Sequence, residues 1–187
     1  KSSKKNQRNS RRHWTIVSFC LFILNNKNLI DSDNVSVLHI APEKNISKKL
    51  KEWKNKYISI DINEKAADFK MDIMDLKFES NTFDIIICNH VLEHVYDDKK
   101  AMSELYRSLK KGGAAILQVP LDLNLEKTDE GYDITDADER LLRFYQRDHL
   151  RLYGKDYFDK LKKMKLIRST NLTVRLNLNQ NGKEYWI

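Results

Sequence analysis

Apolar residues along this chain gather in short runs separated by longer stretches of helical spacing. Residues 35–40 (VSVLHI) form an apolar run with turn residues before it, as a central strand requires. Ala41-Pro42-Glu43 breaks that run, and Ile46, Leu50 and Trp53 then recur at helical spacing among lysines. Residues 57–61 predict a second strand that ends in a carboxylate. Residues 66–73 read as a turn of helix and a small strand ending near Asp72. Residues 83–88 are almost wholly apolar, the pattern of a parallel strand buried on both faces. Asp97-Asp98 suits a helix start, and Ala101, Leu105 and Leu109 mark the stripe that helix buries. Lys110-Lys111 followed by Gly112-Gly113 predicts its end. Residues 114–119 are another buried strand, closed by Pro120.

Strand alternating with helix is the order of a doubly wound α/β sheet. Beyond Pro120 the pattern dissolves. Eight acids fall between Asp122 and Glu139, offset by Lys127 and Arg140. A loop of this length in a small domain serves as a lid or substrate wall, or is disordered. Helical spacing returns over 154–164 through Tyr157, Phe158 and Leu161. Residues 172–176 alternate like a strand, 179–182 turn, and 183–187 pair back antiparallel.

The length of 187 residues fits one domain with a real core. The formal net charge is +7, but residues 1–12 carry six basic side chains and no acid, so the rest of the chain carries only +1. The basicity is a tail. With no aromatic residues interleaved, it reads as a solvated end rather than a nucleic-acid or membrane contact. Behind it, residues 14–24 form an eleven-residue apolar run, laid out like a secretory signal but with no small-x-small cleavage site after it. The run is too short to span a bilayer and is read as a helix packed on the sheet. The chain begins at Lys1, which leaves its native start open. The expected organisation is a flexible tail over 1–13 and a single domain over 14–187, with 121–147 as an acidic substrate loop or lid. Cys20 and Cys88 both lie in apolar runs and make neither a disulfide framework nor a metal site, so a reducing, cytoplasmic setting is expected and no metal is.

The polar residues that interrupt the strands carry the chemistry. The run over 83–88 ends at Cys88-Asn89-His90, and the run over 57–61 ends at Asp61. In an open α/β sheet, ligands bind outside the carboxyl ends of the strands. A nucleotide-like ligand lying across these two ends is the expectation.

The order HIAPE, strand-Asp, MDIMDL, FDIIICNHVLEHV and LKKGGAAILQVP resembles the class I S-adenosylmethionine-dependent methyltransferases over residues 35–120. The combination of FDxIxxxxVLEHV with LKxGG is similar to the small-molecule branch, type 11, in a subgroup with an HIAPE-type first loop. The resemblance implies a mostly parallel, seven-stranded Rossmann-like sheet with an antiparallel C-terminal hairpin, and S-adenosyl-L-methionine as cofactor. It implies that Asp61 binds both ribose hydroxyls, that Asp72 and the Ile73 amide meet the adenine, and that Asn89 and His90 line the methionine end. His39, Ala41 and Glu43 would follow the first loop. His39 itself reads as a core histidine, Ala41 as the small residue replacing the usual glycine, and Glu43 as facing the sulfonium or sitting at the helix start. His94 would close the elbow.

The run from Arg143 to Gly154 (RFYQRDHLRLYG) resembles a Gln-x-Asp-His-x-Arg-x-Tyr-Gly pattern of the same subgroup. Two readings stay open for it: a substrate-side role with His149 as base, or the start of a helix held by an Asp148–Arg151 pair. Methyl transfer is an in-line displacement, so positioning supplies much of the acceleration. A hydroxyl acceptor also benefits from a base titrating near neutrality, for which His149 and His90 are the candidates. No Asn/Asp-Pro-Pro-Tyr motif is present. The expected function is methylation of a small-molecule acceptor, at oxygen, without nucleic acid as partner. A degenerate binding module of the same fold is the alternative, and an RNA methyltransferase the third reading.

Overall fold

A computed structural model describes residues 34–52 and 56–166, together with the backbone of 178–179 and 183–184. The basic tail, the apolar run over 14–24 and the strand expected over 172–176 lie outside the described residues.

The central sheet has five parallel strands: β1 (Ser36–Ile40), β2 (Lys56–Asp61), β3 (Phe69–Lys70), β4 (Phe83–Asn89) and β5 (Leu109–Gln118). Their order across the sheet is β3-β2-β1-β4-β5. The order in which strands are added reverses between β1 and β4, and the carboxyl ends of these two parallel strands therefore flank the switch point, where an open α/β sheet has its crevice.

Alternation along β1 and β4 serves two cores. Val37, Ile85 and Ile87 face one side, where Ile46 and Leu50 of α1 (Lys44–Glu52) pack. Leu38, Ile40, Ile86 and Cys88 face the other, where they meet Ala101, Met102 and Leu105 of α2 (Asp98–Ser108) and Tyr157 and Leu161 of α4 (Tyr157–Lys163). Every residue of β1 is buried, as a strand covered by helices on both faces must be. The sheet is doubly wound, as the sequence pattern requires.

Among the described residues, five strands stand in this sheet rather than the expected seven. The strands after β5 pair with one another: β6 (Asp129–Glu130) with β7 (Arg151–Leu152), and β8 (Leu178–Asn179) with β9 (Lys183–Glu184), both antiparallel. The C-terminal hairpin is thus present, but as a separate two-stranded unit.

Three boundaries also differ. Helix α2 starts as expected, with the Asp97 carboxylate accepting from the Lys100 amide. It ends at Ser108, and Leu109 already has extended backbone. Gly112-Gly113 therefore lie within β5, at a bulge where the pairing with β4 slips between Phe83 and Ile85. Gly112 takes φ +83, and a Cβ on Gly113 would meet the Asp84 carbonyl at 2.8 Å, so both glycines serve the strand pairing rather than the helix stop. The Lys110 ammonium, expected to cap the helix, instead reaches the Asp84 carboxylate at 2.8 Å. Between 66 and 73 only Phe69–Lys70 is strand, and no helix forms.

The acidic segment over 121–147 holds β6 and the helix α3 (Ala137–Phe144), with Ile134, Phe144 and Leu152 in a small core of their own. Many of its acids are engaged locally. Asp129 pairs with Arg143 at 2.6 Å, Glu130 with Lys160 at 3.0 Å, and Asp136 caps α3. Local ion pairs and a cap order a stretch whose apolar pattern alone was too sparse to predict an element.

Candidate active site

The carboxyl ends of the strands line up along one edge through their backbone contacts. The Met71 amide donates to the Asp61 carbonyl at 2.9 Å, the Ala41 amide to the Ile60 carbonyl at 2.8 Å, and the His90 amide to the Gln118 carbonyl at 2.8 Å. Asn89 pairs with Gln118 in register, and Ile40 with Ile60 and Cys88. Asp72, Asp61, Ala41, Asn89 and His90 therefore follow one another along the same edge, as the sequence reading expects.

Two residues on this edge take left-handed backbone, Ala41 with φ +46 and His90 with φ +53. A non-glycine residue at positive φ is uncommon and costs about 1–2 kcal/mol. At Ala41 the strand must turn out of the sheet between His39 and α1. Alanine, the smallest residue with a Cβ, occupies a conformation that glycine usually takes. The first loop thus has, at Ala41, a backbone shape that a glycine would take without strain.

Behind the loop, His39 is fully buried. Its Nε2 meets Glu43 Oε2 at 2.7 Å, and its Nδ1 meets the Tyr57 hydroxyl at 3.0 Å. Asn89 donates from Nδ2 to the other Glu43 oxygen at 3.1 Å. Burial alone would raise the Glu43 pKa. The hydrogen bond and charge of His39, with help from Asn89, outweigh it and hold the carboxyl below its usual range. Glu43 also stands at the start of α1, where its carbonyl accepts from the Ser47 amide at 2.9 Å. Both loops of the switch point are tied together through this one carboxylate. His39 is the satisfied core histidine that the sequence suggests.

Asp61 is half-buried at the end of β2. Its Oδ1 accepts from the Asn63 amide at 2.8 Å. That tight turn fixes the carboxylate, and no bond to Oδ2 occurs among the described residues. Asp72 is exposed and turns in the same way, with Oδ1 accepting from the Met74 amide at 2.8 Å, while Ile73 beside it is buried. Asp75, three residues on, is exposed and pairs with Lys77 at 2.5 Å.

After β4 the chain makes a polar elbow over 89–96. His90 Nδ1 meets Glu93 Oε1 at 3.3 Å, and the Glu93 side chain is wholly buried whereas that of His90 is 40% exposed. The Leu150 amide donates to the Glu93 carbonyl at 2.9 Å, which lays the downstream run against the elbow. This contact brings His149 beside His94, with ring centroids 4.8 Å apart and edge to face. His149 is buried, and its Nδ1 meets the Phe144 carbonyl at 3.1 Å. Burial, only partly opposed by the nearby Glu93 charge, lowers its pKa.

The run over 143–154 is neither a helix start nor held by an Asp148–Arg151 pair. Asp148 Oδ2 lies 3.4 Å from His94 Nδ1. Arg151 is fully buried, and its Nη1 donates to the carbonyls of Leu92 and Val95. Its Nη2 donates to the Tyr96 carbonyl and the Tyr132 hydroxyl, each at 3.0 Å. The Tyr153 hydroxyl donates to Asp98 Oδ2 at 3.0 Å, which also accepts Lys160 at 3.1 Å. Glu93 and Tyr153 are residues that the sequence reading left without a role, and Arg151 was expected to pair with Asp148. Arg151 and Tyr153 stand in the polar spacing of RDHLRLYG, but the carbonyls and the carboxylate they meet in the elbow and at Asp98 lie more than fifty residues away.

The fold is shared with solved structures described as methyltransferases. Residues 36–117 match the family model described as a methyltransferase domain. A putative methyltransferase from Bacillus halodurans shares the fold, with a TM-score of 0.52 and 19% identity over 71% of this chain and 63% of its own. A SAM-dependent methyltransferase from Archaeoglobus fulgidus gives a TM-score of 0.57 at 14% identity, covering 88% of this chain and 75% of its own. An uncharacterised protein of Methanocaldococcus jannaschii is 46% identical over 48 residues, which is 26% of this chain and 21% of that protein. The chain thus spans about a fifth of that curated relative. Among the described residues, no helix is long and apolar enough to cross a membrane.

Ala41 already has the backbone that lets the first loop approach a ligand closely, and Asp61 carries a fixed carboxylate at the next strand end.

Proposed function

We propose that this chain is an S-adenosylmethionine-dependent methyltransferase acting on a small-molecule acceptor through an oxygen atom. The observation that carries the cofactor half is the left-handed Ala41 between Ile40 and Glu43, one strand away from Asp61. Asp61 would hold the ribose, since a carboxylate accepts from two adjacent hydroxyls. Asp72 and the Ile73 amide would meet the adenine, and Asn89 and His90 the methionine end. His39 and Glu43 act one layer back, by fixing the first loop against Asn89.

The bound cofactor supplies a methyl group on sulfur with a good leaving group. The chain's own residues must bind and align the acceptor and take its proton. His90 stands at the mouth of the elbow with the Glu93 carboxylate on its Nδ1. A carboxylate there orients an imidazole and stabilises the imidazolium formed when it accepts a proton. His149 lies behind, kept neutral by burial. Oxygen as the acceptor atom rests on these histidines and on the absence of the Asn/Asp-Pro-Pro-Tyr motif. The acidic segment over 121–147 would form the acceptor-side wall.

A binding module without catalysis is the second reading. It draws on Glu43, whose two oxygens are already satisfied by His39 and Asn89. Calorimetric titration with S-adenosylhomocysteine separates a cofactor site from a decayed one. Micromolar binding supports the proposal. No binding at millimolar ligand, in a chain shown to be folded, overturns it.

A further inference from the structure

We propose that Glu93, His94 and His149 form a binding site for one divalent transition-metal ion of the zinc, iron(II) or cobalt(II) type. The elbow after β4 and the run before β7 bring these three residues together. One ligand atom from each lies within 4.8 Å of the other two. Donors around a shared ion at about 2.0–2.2 Å would be roughly 3.3–3.5 Å apart. Small swivels of the two rings close that gap.

Three independent features fit a metal better than an ordinary polar cluster. The His149 Nδ1 meets the Phe144 carbonyl at 3.1 Å, and the His94 Nδ1 meets the Asp148 carbonyl at 3.2 Å. A ring that donates from Nδ1 carries its lone pair on Nε2, which is how a ligating histidine is normally braced. His94 has a carboxylate brace as well, Asp148 Oδ2 at 3.4 Å. Finally, Glu93 is wholly buried, and its Oε2 has no hydrogen-bond partner among the described residues. An ionised oxygen left like that is costly in a protein interior, and coordination to a cation removes the cost. Its other oxygen meets His90.

Two imidazoles and one carboxylate leave open coordination positions, a donor set suited to zinc and to iron(II). Cysteine is not part of the cluster, and Cys88, buried at the end of β4, is a thiol whose pKa burial drives well up. The cluster opens from the same elbow as His90. An oxygen of the acceptor bound at an open position would be held and polarised there, with His90 to receive its proton. That last role, unlike the site itself, rests on the methyltransferase reading. It reassigns His149 from base to ligand.

The test is titration of the full chain, first stripped with a chelator, with cobalt(II) and zinc. Visible absorption and calorimetry give the readouts, and S-adenosylhomocysteine binding is measured on the same samples. The expected result is one ion per chain, with a cobalt spectrum of a low-symmetry nitrogen–oxygen site. His149→Ala and His94→Ala should each weaken binding by about 100-fold or more, and Asp148→Ala by about 10- to 100-fold. His94 is only half-buried, so its variant reports on the ligand set even if Glu93→Gln fails to fold. Absence of stoichiometric binding at tens of micromolar ion, or binding unchanged in folded His94→Ala, overturns the site. If the ion binds while S-adenosylhomocysteine does not, the metal site stands and the methyltransferase reading falls. Cofactor binding without the ion has the opposite meaning.

Discussion

Arg151 Nη1 donates to the Val95 carbonyl at 2.7 Å, across fifty-six residues of sequence. The same guanidinium holds the carbonyls of Leu92 and Tyr96, so three backbone acceptors of the elbow converge on one buried side chain. The guanidinium also stacks over Tyr132, 5.3 Å from the ring centroid. The downstream motif thus acts first as a clamp on the loop that carries His90 and Glu93. Its own histidine arrives at the site because the clamp closes.

Replacing Arg151 should be among the most damaging single changes. Arg151→Met would fill the space but take the guanidinium donors from the Val95 and Tyr96 carbonyls and leave the Leu92 carbonyl only the Tyr153 hydroxyl at 3.2 Å. A loss of about 3–5 kcal/mol is expected, the range for breaking a buried charged network. Arg151→Lys should recover little, because an ammonium cannot span the same fork. Urea denaturation of both variants, compared at equal slopes, checks this.

Asp61→Ala should weaken S-adenosylhomocysteine binding by about 1.5–3 kcal/mol, roughly 10- to 150-fold, the worth of hydrogen bonds to a charged group. Its effect on stability should be small, since Asp61 makes only a local bond to the Asn63 amide. Calorimetry with circular dichroism on the same sample decides it. Unchanged affinity would mean the ribose lies elsewhere.

Ala41→Gly should be neutral or stabilising by up to about 1 kcal/mol. Relief of the left-handed strain at φ +46 competes with the entropy that glycine adds to the unfolded chain. Ala41→Val should destabilise, because a β-branched residue tolerates positive φ least. Thermal melts should place Ala41→Val below the parent chain and Ala41→Gly at or above it.

Stability should fall below about pH 4.5. Glu43 has its folded pKa held under the ordinary carboxyl value of 4.5, so its stabilisation is complete above that pH. As pH falls through the folded pKa, the unfolded chain binds a proton sooner and the advantage is lost. Asp84, lowered in spite of its burial by Lys110 and Ser36, adds to the same limb from 3.8 downward. Glu43→Gln should flatten the upper part of that fall, measured by urea midpoints from pH 3 to pH 7.

Much of the sheet was legible because β1, β2, β4 and β5 each carry their own apolar run and α1 and α2 their own stripe, whereas β3 is two exposed residues. Asp61, Asn89 and His90 were legible for the same reason, since the residue that ends a parallel strand lies on the carboxyl edge of the sheet. The helix end at Ser108 was not. Lys110 and Gly112-Gly113 fit a helix stop locally, but pairing of Leu109 with Phe83 draws the chain into β5 three residues early. The C-terminal hairpin stands apart from the five-stranded sheet among the described residues, and short alternating runs do not by themselves name their partners.

Periodicity and strand ends are local properties, so the doubly wound order, the carboxyl edge of the sheet and the chemical groups along it could be read from the residues alone. How the elbow and the downstream run come together is a matter of the folded chain: Arg151 meets the carbonyls of Leu92, Val95 and Tyr96, and His149 packs on His94, each across more than fifty residues. Their burial together makes the charge of one side chain the environment of the next.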